Sequence, residues 1–245
     1  MDLFFEIHKD IPREGPGDND STRQALSMLK DIPNNPTILD IGCGPGMQTI
    51  EIAKNLNGKI TGIDINKSFL NRLKKAAKDK NLSDKVETKE MSMFSLEFEE
   101  NTFDVIWSEG AIYIIGFEKG IKEWKKHIKT GGYLVVSELS WLREDRPKEI
   151  EDFWKSNYPS MKGIGDNIKV IEKSGYQSIG HFIIPEKGWW QDYYNPLIKR
   201  INELRKKYIN NKEANDRMDS TEEEIELYKK YSEYYGYVFY IMKKI

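Results

Sequence analysis

The stretch Leu39-Asp40-Ile41-Gly42-Cys43-Gly44-Pro45-Gly46 decides how this chain folds. It follows a β-branched and leucine-rich run that starts at Thr37, and it precedes a segment with apolar residues at helical spacing. Glycine adopts backbone angles that other residues avoid, and it lets a ligand approach the main chain closely. Free N–H groups at the start of the following helix favour a carboxylate. The order of strand, turn and helix therefore predicts a binding turn.

The same alternation of strand and helix continues to residue 139. Short apolar runs predict strands at 37–42, 59–65, 85–91, 103–108 and 133–139. Helices are predicted at 46–56 and 68–80, and a third carries the stripe Ile121, Trp124 and Ile128 and ends at Gly131-Gly132. Alternating strands and helices with right-handed crossovers give a parallel sheet. The predicted fold class is α/β, doubly wound, with a seven-stranded, mostly parallel sheet.

Beyond residue 139 the pattern changes to a helical cap or insertion. Helices are predicted at 141–158, 166–175, 189–208 and 221–235, the last opening at Ser220/Thr221. Strands are predicted at 176–185 and 237–245. We divide the chain into an N-terminal lid or helical segment (1–35), a core (36–140), the cap with the sixth strand (141–235) and a final strand (236–245). All four parts are expected to form one compact domain, with the cap over the carboxyl ends of the strands.

Composition and charge disfavour several classes of partner. The 38 basic and 40 acidic residues give a net charge of −2, whereas proteins that bind nucleic acid normally concentrate lysine and arginine on one face. Apolar runs fall short of the ~20 residues that cross a bilayer, and Cys43 is the single cysteine. No zinc-spaced cluster of cysteine and histidine occurs. We therefore expect a soluble, cytoplasmic protein that binds neither nucleic acid nor membrane and holds no metal.

An acidic residue complements the glycine-rich turn. Asp64 ends the second predicted strand, roughly 20 residues past the glycines, where a carboxylate can accept hydrogen bonds from ribose hydroxyls. Gly42, Gly44 and Gly46 give the spacing G-x-G-x-G, whereas dinucleotide enzymes favour G-x-G-x-x-G. The turn and the acid together predict a ligand that contains adenosine.

The segment 39–46 resembles motif I of class I S-adenosylmethionine-dependent methyltransferases, which have a Rossmann-like fold. The resemblance extends in order over about residues 36–139 and implies S-adenosyl-L-methionine as the cofactor. In that family the turn holds the methionine part, the acid after the second strand holds the ribose, and a later segment, here starting at Ser92, brackets the adenine. This chain has Ser92 where many relatives have aspartate. The residues that this resemblance and the turn suggest for cofactor binding are Asp40, Gly42, Cys43, Gly44, Gly46, Gln48, Asp64, Ile65, Ser92, Met93, Ser108 and Glu109.

The stretches 4–8, Gly15-Pro16-Gly17 and 106–117 are similar to a bacterial group of small-molecule methyltransferases related to the ubiquinone/menaquinone-biosynthesis type. The expected partner is therefore a small-molecule methyl acceptor, and a homodimer is compatible with the sequence. Methyl transfer depends mainly on positioning and on exclusion of water, and a base is needed only for an acceptor with a tightly held proton. The candidate catalytic residues are Glu109, Tyr113 and His8.

Several interpretations stay open at this stage. Glu109 and Glu118 are nine residues apart, as are the paired glutamates of arginine methyltransferases. The small side chain of Cys43 suits packing within the turn, His127 is expected on a solvated helical face, and His181 in a strand. Aromatic residues either form a wall over the acceptor or pack the cap onto the sheet; they are Trp141, Trp189, Trp190, Tyr193 and Tyr194. Alternative functions are a non-catalytic S-adenosylmethionine-binding module and an NAD-dependent oxidoreductase.

Overall fold

A seven-stranded sheet organises the protein. The computed structural model describes residues 6–9 and 11–245. The strands are β1 (Thr37–Ile41), β2 (Lys59–Asp64), β3 (Val86–Glu90), β4 (Phe103–Ser108), β5 (Ile128–Trp141), β6 (Tyr176–Ile183) and β7 (Tyr235–Lys244). Their order in the sheet is β3-β2-β1-β4-β5-β7-β6. The strands β1 to β5 pair in parallel, and β7 is antiparallel to both β5 and β6. The predicted seven-stranded, mostly parallel sheet is confirmed.

Helices cover both faces of the sheet, as expected for a doubly wound fold. They are α1 (Asn19–Ser27), α2 (Met47–Asn55), α3 (Lys67–Asp79), α4 (Phe117–Trp124), α5 (Lys148–Asn157), α6 (Ile164–Lys173), α7 (Lys187–Trp189), α8 (Asn195–Lys207) and α9 (Lys212–Tyr231). A π-helical segment, Trp190–Tyr194, joins α7 to α8. Residues of α1 and α2 pack on one face of the sheet, while residues of α4 and α6 pack on the other. The carboxyl ends of β1, β2 and β4 meet between these layers.

Several predicted boundaries are wrong, and two of them have clear local reasons. The helix after β4 ends at Trp124 rather than at Gly131-Gly132, because a 3-10 turn leads directly into β5 at Ile128. Both glycines therefore lie within a strand, next to a shift in the register of β4 against β5. The last helix begins at Lys212, nine residues before Thr221, because the side chain of Asn211 caps it by accepting the Ala214 N–H at 3.0 Å.

Residues 141–235, which the sequence predicts as a cap, hold most of a large aromatic cluster that also includes Ile7, Ile11 and Leu139. Trp189, Tyr194 and Tyr235 are each at most 1% exposed. The rings of Trp189 and Tyr228 stack at 3.9 Å between centroids. The predicted helix over 141–158 is shorter than expected, since β5 runs to Trp141 and α5 starts at Lys148. Among the described residues, no single helix combines the length and the apolarity needed to span a membrane.

Candidate active site

A cavity opens at the carboxyl ends of β1, β2 and β4, with about 1120 Å³ of free space, part of which is continuous with solvent. The turn after β1 forms one wall and the exit of β4 forms another. Residues 12–16 cross over the cavity from the N-terminal side. Parallel strands bring these loops together at one edge, which is where ligands bind in such folds.

The glycines of the turn after β1 are required by the backbone and by close packing. Gly42, Gly44 and Gly46 have φ values of 68°, 52° and 88°. A Cβ on Gly46 would lie 2.3 Å from Leu73 Cδ1, and one on Gly42 would lie 2.6 Å from Ala111 Cβ. Gly44 has more open space around it and lines the cavity. Gly42 and Gly46 therefore serve packing, while Gly44 presents bare backbone to a ligand.

Asp64 contacts this turn directly at the wall of the cavity. Its Oδ2 accepts the Gly44 N–H at 3.0 Å, and its Oδ1 accepts the Asn66 N–H at 2.8 Å. Burial raises the pKa of Asp64, and these backbone hydrogen bonds oppose the rise. A carboxylate oxygen has two lone pairs, so each oxygen can accept a further hydrogen bond. The acid is thus held at the cavity wall with capacity left for ligand hydroxyl groups.

Asp40 lies behind the turn in the core of the site. It is fully buried, and its Oδ2 accepts hydrogen bonds from Thr49 Oγ1 at 2.5 Å and Gln48 Nε2 at 3.2 Å. Burial raises the pKa of Asp40 to about 7, with a further upward contribution from Glu109. Gln48 also donates to the Cys43 carbonyl at 3.0 Å and lines the cavity. Asp40 therefore acts through Gln48 to fix the turn.

Glu109 is engaged by three donors. Its Oε2 pairs with Arg13 Nη1 at 3.0 Å, and its Oε1 accepts from Thr22 Oγ1 at 2.8 Å and Trp107 Nε1 at 2.9 Å. The side chains of Arg13 and Glu109 are only 5% and 4% exposed. Burial raises the pKa of Glu109, and the Arg13 charge opposes that rise. Glu109 lines the cavity and ties the N-terminal segment to the exit of β4.

Mostly apolar residues line the side of the cavity beyond Asp64; they are Ile65, Phe69, Met91, Ser92, Met93 and Phe94. Ser92 Oγ accepts the Phe94 N–H at 3.3 Å, and the Met93 carbonyl accepts from Trp124 Nε1 at 3.2 Å. A flat apolar ring fits such a lining, with hydroxyl-bearing groups directed back towards Asp64.

Tyr113 and Ile114 form the opposite end of the cavity. The Tyr113 ring meets Tyr158 edge to face at 6.2 Å, and the Tyr158 hydroxyl donates to Glu138. Glu138 is 2% exposed, and its Oε2 has no hydrogen-bond partner among the described residues. Burial raises the pKa of Glu138 to about 8. Tyr113 at the cavity thus packs against Tyr158, which holds the buried Glu138 outside the cavity lining.

The cavity brings together most of the residues predicted from the sequence, namely Gly42, Cys43, Gly44, Gln48, Asp64, Ile65, Ser92, Met93, Glu109 and Tyr113. Asp40, Gly46 and Ser108 support it from behind, and the Ser108 hydroxyl donates to the Ile41 carbonyl at 2.9 Å. His8 is buried outside the cavity lining and stacks with Tyr193 at 6.1 Å. The catalytic roles suggested for Glu109, Tyr113 and His8 stay predictions.

One alternative that the sequence left open is excluded, and one expectation is wrong. Glu118 lies exposed on α4 and pairs with Lys122 at 2.7 Å, so it forms no paired-glutamate site with Glu109. His127 is 2% exposed rather than solvated, because the chain turns from helix into β5 there, and its Nδ1 lies 3.2 Å from the Glu99 carbonyl oxygen. His181 lies in β6 as expected. Cys43 is buried against α2 and α3, which is consistent with a packing role.

The sequence analysis did not identify three polar or charged residues near the N-terminus. Arg13, Glu14 and Thr22 all approach the cavity or Glu109. The Gly15-Pro16-Gly17 pattern was a signal that this segment is shaped for a close approach, but it did not identify the charged neighbours. The pairing of Arg13 with Glu109 joins residues 96 positions apart, a separation that local patterns do not encode.

Comparison with known proteins agrees with this geometry. A family model described as a methyltransferase domain matches residues 38–132. The sterol 24-C-methyltransferase of Saccharomyces cerevisiae is 32% identical over 125 residues, which cover 51% of this chain and 32% of that protein. The 2-methyl-6-phytyl-1,4-hydroquinone methyltransferase of Synechocystis sp. is 29% identical over 206 residues, covering 72% of this chain and 63% of that protein.

Solved structures show the same fold over the whole chain. An S-adenosylmethionine-dependent methyltransferase from Geobacter sulfurreducens, in complex with S-adenosyl-L-homocysteine, superposes with a TM-score of 0.83 at 18% identity and covers 99% of this chain and 98% of that one. The corresponding structure from Thiobacillus denitrificans gives a TM-score of 0.85 at 17% identity, with coverage of 100% and 99%.

The matched methyltransferase domain covers residues 38–132, which is less than half of the chain. The fold described above is shared with these two S-adenosylmethionine-dependent methyltransferases. The chain spans between 32% and 63% of the length of the curated relatives it matches. These relatives include both a sterol and a hydroquinone methyltransferase, so their names do not agree on one methyl acceptor.

Proposed function

We propose that the protein transfers a methyl group from S-adenosylmethionine to a small-molecule acceptor. The observation that carries this proposal is the position of the Asp64 carboxylate, which accepts the Gly44 N–H at 3.0 Å and lines, together with the glycine-rich turn, the cavity at the carboxyl ends of the strands. The methyltransferase domain matched over residues 38–132 supports the same activity.

The lining of the cavity fits this cofactor part by part. Asp64 has lone pairs for ribose hydroxyl groups, and the apolar side between Ile65 and Phe94 suits the adenine ring. Gly44 and Gln48 lie where the methionine part would pass. When bound, the cofactor supplies an electrophilic methyl group on a positively charged sulfur.

The chain's own contribution is positioning and the exclusion of water. Arg13 and Glu109 hold residues 12–16 over the cavity, and this cover keeps solvent from the reacting end. The acceptor is proposed to enter beside Tyr113, which lines the cavity and is packed edge to face against Tyr158. Correct placement of two reactants can supply a large share of a rate enhancement.

Glu109 is a positioning residue in this proposal rather than the base. Arg13, Thr22 and Trp107 already donate to its two oxygens. Tyr113 lies at the acceptor end of the cavity, and burial together with Glu224 and Glu138 raises its pKa. A neutral phenol at neutral pH can orient an acceptor by hydrogen bonding. Assignment to the ubiquinone/menaquinone-biosynthesis type, a cytoplasmic location and a homodimer stay predictions.

The proposal is tested with donor labelled in the methyl group. The purified protein is incubated with labelled S-adenosylmethionine and fractions of a bacterial metabolite extract, and Asp64→Ala serves as the control. We expect label in at least one small-molecule fraction with the wild type and a large loss with the variant. Donor binding without transfer to any fraction would favour a non-catalytic binding module, and binding of NAD in place of the donor would favour an oxidoreductase. Either result overturns the proposal.

A further inference from the structure

Glu14 is a buried acid in the cavity wall that the proposed function does not use. It lies over the glycine-rich turn, since a Cβ on Gly44 would be 3.5 Å from Glu14 Cγ. Both carboxyl oxygens are shielded from solvent, and neither has a hydrogen-bond partner among the described residues. Buried polar atoms nearly always have partners, so an unpartnered carboxyl group in a cavity wall points to a missing ligand.

The position of Glu14 is set by its neighbours rather than by its own carboxyl group. On one side, Arg72 Nη2 on α3 donates to the Ile11 carbonyl at 2.7 Å. Next to Glu14, Arg13 is anchored to Glu109 at 3.0 Å. The carboxyl group is therefore held over the cavity at the cost of its own solvation.

Glu14 lines the same cavity as Asp64 and Tyr113, and it is the acidic residue of the segment 12–16 over the glycine-rich turn. The negative charge of Asp64 contributes to the raised pKa of Glu14, and the charge of Glu14 contributes to the raised pKa of Tyr193. The segment over the turn therefore adds a second carboxyl group to the acid that ends β2.

The electrostatics around Glu14 favour a cation. Burial raises the pKa of Glu14 to about 8, Asp64 adds to the rise, and Arg72 opposes it. Arg72 makes no ion pair with Glu14 within the described part of the chain. A positively charged ligand group beside Glu14 would replace the lost solvation and favour the ionised carboxylate.

We propose that the Glu14 carboxylate binds the positively charged sulfur end of S-adenosylmethionine and so distinguishes the donor from the uncharged-sulfur product. This inference rests on the proposed function and adds a specificity-determining residue to it. Loss of the sulfur charge after transfer removes the partner of Glu14, and the product is released more easily. Asp64 does not give this discrimination, because donor and product carry the same ribose.

The test is a comparison of binding affinities by isothermal titration calorimetry. Wild type, Glu14→Gln and the control Glu123→Gln, an exposed glutamate on α4, are titrated with S-adenosylmethionine, S-adenosylhomocysteine and sinefungin. Sinefungin carries a protonated amine in place of the methylated sulfur. We expect Glu14→Gln to weaken binding of the two cationic ligands about tenfold, and to change binding of the product less than twofold. The control should match the wild type.

Equal weakening of all three ligands would overturn the inference and indicate a ribose or main-chain contact for Glu14. A wild type that binds none of the three would instead overturn the proposed function. Thermal unfolding of each variant shows whether it is folded, and Glu14→Ala provides a second folded variant with the same expectation.

Proton release gives an independent readout. At pH 7 a carboxyl group with a pKa of about 8 is mostly protonated, so binding of a cation beside it releases a proton. Titration in two buffers of different ionisation enthalpy should show more proton release for the donor than for the product in the wild type, and no such difference in Glu14→Gln. Asp40 also has a pKa of about 7, but it is present in both the wild type and Glu14→Gln, so the change between these two proteins reports Glu14. An unchanged difference in the variant would contradict the inference.

Discussion

The matched domain at residues 38–132 and the cap at 141–235 use their distinctive residues in opposite ways. In the matched domain, glycines and acids leave backbone and carboxylate atoms facing a cavity, as Gly44 and Asp64 do. In the cap, most of the aromatic residues bury one another, and Trp189 packs against Tyr194 and Tyr228. Glycines, acids or aromatic residues in a sequence therefore indicate a binding site only where the fold leaves them exposed to a cavity. Trp189 and Tyr194 favour the packing interpretation of the aromatic wall.

Removal of a cap tryptophan should produce the largest change in stability. Trp189→Ala deletes a ring that is 1% exposed, and we expect a loss of about 3–5 kcal/mol in the free energy of unfolding. The affinity for S-adenosylmethionine of the folded fraction should change less than twofold. Urea unfolding and calorimetry measure the two quantities.

Trp190→Ala is the matched control for Trp189, since Trp190 is only half-buried and its loss should cost less. A large fall in donor affinity with little change in unfolding would break the comparison, because the cap tryptophan would then belong to the site.

A second prediction concerns the pH dependence that Glu138 gives to stability. The pKa of Glu138 rises from 4.5 to about 8 on folding, mainly through burial. The stabilisation is complete below the unfolded pKa and is lost as the pH rises towards 8. The expected fall between pH 5 and 8 is on the order of a few kcal/mol. Glu138→Gln should flatten this dependence in thermal unfolding scans.

Other buried acids also make the stability depend on pH, so Glu138→Gln should reduce this dependence without abolishing it. Glu14 and Asp40 have raised pKa values of about 8 and about 7 and change stability in the same direction. Tyr158 and Lys162 also face Glu138. A curve for Glu138→Gln as steep as that of the wild type would show that Glu138 titrates normally.

A smaller effect separates ligand contact from backbone strain in the glycine turn. Gly44→Ala and Gly131→Ala both place a side chain at positive φ, at 52° and 75°. Each should cost about 1–2 kcal/mol of stability. Only Gly44→Ala should also weaken donor binding, by about tenfold, because Gly44 lines the cavity. Equal donor affinities for the two variants would contradict the ligand role of Gly44.

The sequence predicts the part of the site that consists of neighbours in the chain. The turn at Gly42–Gly46 and the acid at Asp64 follow two strands that become adjacent in any right-handed doubly wound sheet, so their meeting was foreseeable. The number of strands was also predicted, but the sequence did not predict that β7 inserts antiparallel between β5 and β6.

Contacts between distant segments were not predictable in this way. Arg13 contacts Glu109 because the N-terminal segment packs over the end of the sheet. The spacing of apolar residues within a segment does not predict such a long-range contact. The start of the last helix at Lys212 depended on a single cap, Asn211. The contact of Glu138 with the Tyr158 hydroxyl, 20 residues further along the chain, was likewise not predictable from a local pattern.

The most direct test of the account is calorimetric titration of S-adenosylmethionine into wild type, Asp64→Ala and Asp79→Ala, an exposed aspartate on α3. The account predicts that Asp64→Ala weakens donor binding by about 10- to 100-fold, because hydrogen bonds to a charged acceptor are lost, whereas Asp79→Ala binds as the wild type does. Equal affinity of Asp64→Ala and wild type for S-adenosylmethionine would contradict the claim that this carboxylate binds the cofactor.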